Sequence, residues 1–176
     1  MSVKIVKIPE NGLLNAYDLK SGCYTDCFCI DVPGSVSFPT YVYAFFNTPV
    51  FKLERVLLRL FAFSPSSDTD VANLASGTSD VLSMWNVEER NENQMLMSVG
   101  NGPIRTWLMC SSNDISSGTT RLFFGSAVLP SRRNASGDRK MGRSFHILLG
   151  FHKVYSRILL WSAKQKLRKL PLVSSN

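Results

Sequence analysis

The chain holds 176 residues, 44% hydrophobic and 19% charged, with a mean hydropathy of zero, a composition that excludes a disordered segment and a coiled coil. A chain this long buries roughly 70% of its unfolded surface, enough for a core without staples, and no apolar run approaches the ~18 residues of a membrane span. The net charge of +7 is uneven: residues 1–131 carry 9 Lys+Arg against 12 Asp+Glu, and residues 132–176 carry 11 against 1.

Met1 to Pro9 reads as a strand-like segment with two lysines rather than a basic-then-apolar secretory leader, so the expected location is cytoplasmic. Tyr24 to Val32 is the first clear strand, with Tyr24, Asp26, Phe28 and Ile30 on one face and Thr25, Cys27 and Cys29 on the other. Pro33-Gly34 ends it. Pro39 opens a short helix over Thr40 to Phe46, where a first-turn proline loses no hydrogen bond. Thr48 and Pro49 open a second helix to about Ala62, with Val50, Leu53, Leu57, Leu60 and Phe61 at helical spacing. A third runs from Asp68 to Ala75 and is closed by Gly77.

The hydrophobic period then changes from helical to two. Asp80 to Arg90, Gln94 to Val99, Ile104 to Ser111 and Thr119 to Leu129 read as strands separated by short turn clusters. Connections this short imply an antiparallel meander, because parallel strands need long crossovers. Ser131 to Lys140 reads as a polar, basic loop. The last element is a helix from about Gly142 to Leu170. Phe145, Leu148, His152, Tyr155, Leu159, Ala163 and Leu167 form its apolar stripe, and Lys153, Arg157, Lys164 and Arg168 form a basic one. Pro171 stops it, leaving a frayed tail over 171–176 and one domain over 1–170.

This order implies an α+β fold in which a curved antiparallel sheet wraps the long C-terminal helix. The arrangement resembles the helix-grip fold of the START-like superfamily of polyketide cyclase/dehydrase and lipid-transfer proteins. Arg105–Met109 (RTWLM), Thr120–Pro130 (TRLFFGSAVLP), Gly142–Phe145 (GRSF) and Phe151-His152 resemble more closely an uncharacterised bacterial family of that type. The likeness covers roughly residues 24 to 168. It implies a cavity between sheet and helix, usually for an apolar ligand, and carries no known reaction.

The chemistry-bearing residues are few. Cys23, Cys27, Cys29 and Cys110 lack the paired spacing of structural zinc and read as small buried hydrophobes. His146 and His152 lie six apart, off the one-face spacing of helical metal ligands, so neither metal nor cofactor is expected. His152 sits on the apolar stripe, where it is a hydrogen-bonded core residue or, inside a cavity, a group able to exchange a proton near neutral pH. No G-x-S-x-G elbow favours a nucleophilic serine. No phosphate-cradling loop or RNA- or DNA-binding signature is present, which disfavours nucleic acid as a partner.

With a hairpin turn near residue 115, position 107 falls opposite about 123. Arg105, Trp107, Met109, Phe123, Gly125 and Ala127 then share one face, and Thr106, Leu108, Phe124 and Ser126 the other. Arg105 on an apolar face either anchors an anionic head group, pairs with Glu88, Glu89 or Asp80, or reaches solvent. Met84, Trp85, Met95, Met97 and Met109 give the sheet an adaptable interior. The expected ligand-binding set is Trp85, Met97, Arg105, Trp107, Met109, Phe123, His152 and Tyr155, with Trp107, Arg105, Phe123 and His152 lining one cavity. The expected function is binding of a small apolar or amphipathic molecule there. The alternatives are an enzyme of cyclase, dehydratase or aromatase type, with His152 and Arg105 as candidates, and an interaction protein that uses the basic helix. That helix, with Arg132, Arg133, Arg139 and Lys140 before it, is also suited to transient contact with an anionic membrane surface.

Overall fold

A computed structural model describes residues 2–20, 22–52, 66–112, 118–130 and 143–170, with only the backbone described for 143–151. Seven strands form one open antiparallel sheet: β1 (Lys4–Ile5), β2 (Tyr24–Pro33), β3 (Val81–Leu82), β4 (Trp85–Arg90), β5 (Gln94–Val99), β6 (Ile104–Ser112) and β7 (Thr119–Val128). Their spatial order is β1-β2-β7-β6-β5-β4-β3. The helices are α1 (Asn15–Asp18), α2 (Phe38–Phe46), α3 (Asp68–Ser76) and α4 (Arg143–Lys169).

The meander from β4 to β7 follows the expected strands. The stretch Asp80–Arg90 is not one strand, however. Ser83, with φ of 57°, and Met84 make a tight turn that folds β3 back on β4, pairing Leu82 with Trp85. Both sheet edges are two-residue strands. Trp107 pairs with Gly125 and Met109 with Phe123, two residues away from the expected register. An even offset preserves which side chains share a face.

Helix starts follow local chemistry. Ser37 caps α2 through the Thr40 backbone N–H, with proline in the first turn. Ser67 and Asp70 form a reciprocal capping box on α3, and Gly77 closes that helix in the left-handed conformation (φ 80°). Arg90 Nη1 donates to the Leu74 carbonyl at 2.8 Å, tying the end of α3 to β4. Residues 49–52 are helical as expected; the rest of that helix, the 131–140 loop and the 171–176 tail lie outside the described residues.

Both sheet faces are buried. On one, α2, α3 and α4 pack through Tyr41, Phe45, Val71, Leu74, Leu159, Leu160, Ala163 and Leu167 onto Phe28, Ile30, Met95, Met97, Leu108, Leu122 and Phe124. On the other, the N-terminal segment lays Leu14 and Tyr17 over Cys27, Cys29, Leu96, Trp107, Met109, Phe123 and Ala127. A glycine at 125 is required on this second face. A Cβ there would meet Leu14 Cδ2 at 2.7 Å and Trp107 Cε3 at 3.0 Å.

Candidate functional site

A cavity of about 260 Å³ lies between the sheet and α4. The sheet contributes Trp85, Val99, Ile104, Thr106, Phe124 and Ser126; α4 contributes His152, Tyr155 and Leu159; Phe45, Phe51 and Met84 complete the wall. Most of this lining is apolar. Thr106 and Ser126 are partners across β6 and β7, so with His152 they gather polar groups at one side.

His152 reaches Ser126 Oγ through Nε2 at 2.8 Å and Asp26 Oδ2 at 3.2 Å. Ser126 Oγ donates to Asp26 Oδ1 at 2.6 Å, and the Tyr24 hydroxyl donates to Asp26 Oδ2 at 3.0 Å. Ser156 Oγ lies 3.4 Å from the same histidine nitrogen. With the serine hydrogen given to Asp26, the Nε2–H form of His152 completes the network. The Asp26 side chain is 6% exposed and that of His152 31%, so the carboxylate is sealed behind a histidine that faces the cavity. Burial by itself raises the Asp26 carboxyl. Hydrogen bonds from His152 and Ser126, attraction to His152 and the Tyr24 hydroxyl outweigh it and hold the group below its ordinary value.

This constellation is not a nucleophilic relay. In such a relay the acid holds one ring nitrogen while the other faces the serine. Here one nitrogen meets both, and the serine gives its proton to the aspartate. The arrangement can exchange a proton with a bound molecule or hydrogen-bond its polar end.

Of the expected site residues, Trp85, His152 and Tyr155 line the cavity, and Met97 is fully buried in the core on the same face. Arg105, Trp107, Met109 and Phe123 do not join them. They lie on the opposite side of the sheet, under the N-terminal segment, so the expected common cavity of Trp107, Arg105, Phe123 and His152 does not form. Trp107 Nε1 instead donates to Gln94 Oε1 at 2.9 Å; that oxygen also accepts from Leu13 N, and Gln94 Nε2 donates to the Asn11 carbonyl. Arg105 Nε pairs with Glu88 Oε1 at 2.8 Å and donates to the Tyr17 hydroxyl at 3.0 Å, so the ion-pair alternative is the one adopted. Glu88 follows Val87, which packs on the α4 side, so alternation turns it to this face, where a bulge interrupts the register between Val87 and Glu89.

The cysteines carry free thiols; burial pushes Cys27 up to about 12 and Cys110 up to about 11. Among the described residues no group of three or more His, Cys, Asp or Glu could hold a metal, and no helix is long and apolar enough to cross a membrane. His146 and the basic loop residues Arg132, Arg133, Arg139 and Lys140 lie outside the described side chains. Lys164 leaves the expected basic stripe. It is 4% exposed and donates to the Asp31 carbonyl at 2.6 Å, and burial lowers its pKa.

Sequence reasoning missed Asp26 and Ser126 as site residues. The available signal was an acid placed inward beside Phe28 and Ile30, a position that demands a partner. Comparison of the chain with protein-family models, curated proteins and solved structures finds no match in any of the three.

Proposed function

We infer that this chain is a START-like, helix-grip protein that holds a small amphipathic molecule between the sheet and α4. The observation that carries the reading is a mostly apolar cavity with Asp26, Ser126 and His152 networked at one side. Its volume of about 260 Å³ falls just under the ~300–1,000 Å³ of drug-sized sites, which suits one ring system or a short chain and not a two-chain lipid. The ionised Asp26 behind His152 leaves no net positive charge at the polar side, whether or not the imidazole is protonated. A neutral hydroxyl or carbonyl is therefore favoured over a carboxylate or phosphate.

Calorimetric titration with naphthol and with naphthoate tests this, because the two share a ring system and differ in the charge of the head. Naphthol should saturate a single site and bind at least about tenfold more tightly, the equivalent of ~1.4 kcal/mol. Equal binding, a preference for naphthoate or no binding of either defeats the reading.

The contact between Asp26 and His152 also supports a second reading, an enzyme of cyclase, dehydratase or aromatase type with His152 moving the proton. Turnover of a bound ligand that vanishes in His152→Gln while binding persists distinguishes it from pure binding.

A further inference from the structure

We propose that the outer face of α4 is a docking surface for an anionic lipid bilayer. The inference is independent of what the cavity holds. Val154, Ile158 and Trp161 are spaced at four and three residues along α4 and are 53%, 44% and 51% exposed, so they form one apolar stripe on the face turned away from the core. The opposite face of the same helix buries Leu159, Leu160, Ala163 and Leu167. An amphipathic helix in a globular protein ordinarily leaves its outer face polar. Here that face carries a tryptophan and two branched aliphatics.

The charge beside the stripe identifies the occupant. Helix α4 contains seven Lys and Arg and no Asp or Glu. Arg157 and Arg168 are exposed along one flank, and Lys166 and Lys169 lie toward the other. Trp161 also borders a cleft of about 630 Å³ whose lining includes Asn47, Lys166 and Lys169. Asn47 is 3% exposed, and among the described residues neither its amide nitrogen nor its oxygen has a hydrogen-bond partner. A second cleft brings Val3 and Arg157 against Ile158 and Trp161. Apolar residues set among cations, with an interface-seeking tryptophan, match a helix that lies in the headgroup plane of an anionic membrane. An acidic protein would satisfy the lysines and arginines without requiring an exposed apolar stripe.

The protein carries its own reporter. Of its three tryptophans, Trp85 and Trp107 are buried at 6% and 0% exposure, so Trp161 dominates the solvent-sensitive emission. The full chain is mixed with vesicles of phosphatidylcholine alone or of equal parts phosphatidylcholine and phosphatidylserine, and fluorescence and co-sedimentation are read together. The expected result is a blue shift and sedimentation on the anionic vesicles only. Each basic residue near such a surface is worth roughly fivefold in binding. Arg168→Glu with Lys169→Glu should therefore weaken binding by more than roughly twentyfold. Roughly 1 M salt, where screening acts within ~3 Å, should abolish most of it. Ile158→Asp, at an exposed position that keeps the reporter, should lose both signals while the far-ultraviolet circular dichroism stays unchanged. Absence of binding to anionic vesicles at low salt overturns the proposal. So does binding indifferent to salt or to Ile158→Asp, or a concentration-dependent dimer that Ile158→Asp dissolves without any vesicle binding in the parent chain.

Discussion

Asp26 shows how much one side chain's surroundings decide. It is an acid on an inward strand position, stabilised because Ser126, His152 and Tyr24 all turn hydrogen-bonding groups toward it. Its carboxyl is held below the ordinary value in the folded protein, so the unfolded chain binds this proton more tightly. The stability that Asp26 contributes is therefore complete above the unfolded value of about 3.9 and is lost as pH falls through the lower folded value. Asp26→Asn should lower the urea midpoint at neutral pH by an amount equivalent to about 1–3 kcal/mol. It should also flatten the acid limb of a plot of midpoint against pH. A variant with an unchanged acid limb contradicts the network.

At the scale of elements, the N-terminal segment is held across the sheet by a few polar contacts over an apolar bed. Gln94 is 2% exposed and makes two of them, to Leu13 and Asn11, while its side-chain oxygen also accepts from Trp107 in β6. The Tyr17–Glu88–Arg105 cluster fastens the far end of the segment. Gln94→Leu would leave two N–H groups and a carbonyl without their partner, a loss of about 2–4 kcal/mol. Because the segment's own elements are short, the cost should appear locally as well as globally. Limited proteolysis should cut the variant between Ile8 and Leu19 faster than the parent, relative to cleavage elsewhere. Equal cleavage rates in that segment would mean that the apolar bed alone holds it.

For the whole molecule, a cavity beneath the longest helix is a site of lost packing contacts. Val99 projects into it from β5. Val99→Phe fills part of the void and should stabilise the fold by about 0.5–2 kcal/mol, the usual yield of cavity filling. In a chain of this size that raises Tm by a few degrees, at roughly 2–4 °C per kcal/mol. The same variant should lose naphthol binding. If Val99→Phe destabilises the protein while binding persists, the void is not the ligand site.

Much of the architecture was legible in the chain. The change of hydrophobic period located β4 to β7, Gly77 marked the close of α3, and the apolar spacing located α4. Even the shared faces were readable, because side-chain alternation in a strand is purely local: Trp107, Met109, Phe123 and Ala127 do lie together, opposite Leu108 and Phe124. Which of those faces meets α4 was not readable. A sheet ordinarily reveals its core side by a polar back, but here the N-terminal segment buries the back too, and both faces carry apolar residues of similar size. The partners of His152 were equally hidden. Ser126 comes from β7, just before α4, but Asp26 comes from β2, a hundred residues earlier, and only the pairing of those strands beneath the helix brings them to one nitrogen. Local periodicity is a property of neighbouring residues. The choice of face and the assembly of the polar cluster depend on contacts between elements separated along the chain, and those exist only once the tertiary structure has formed.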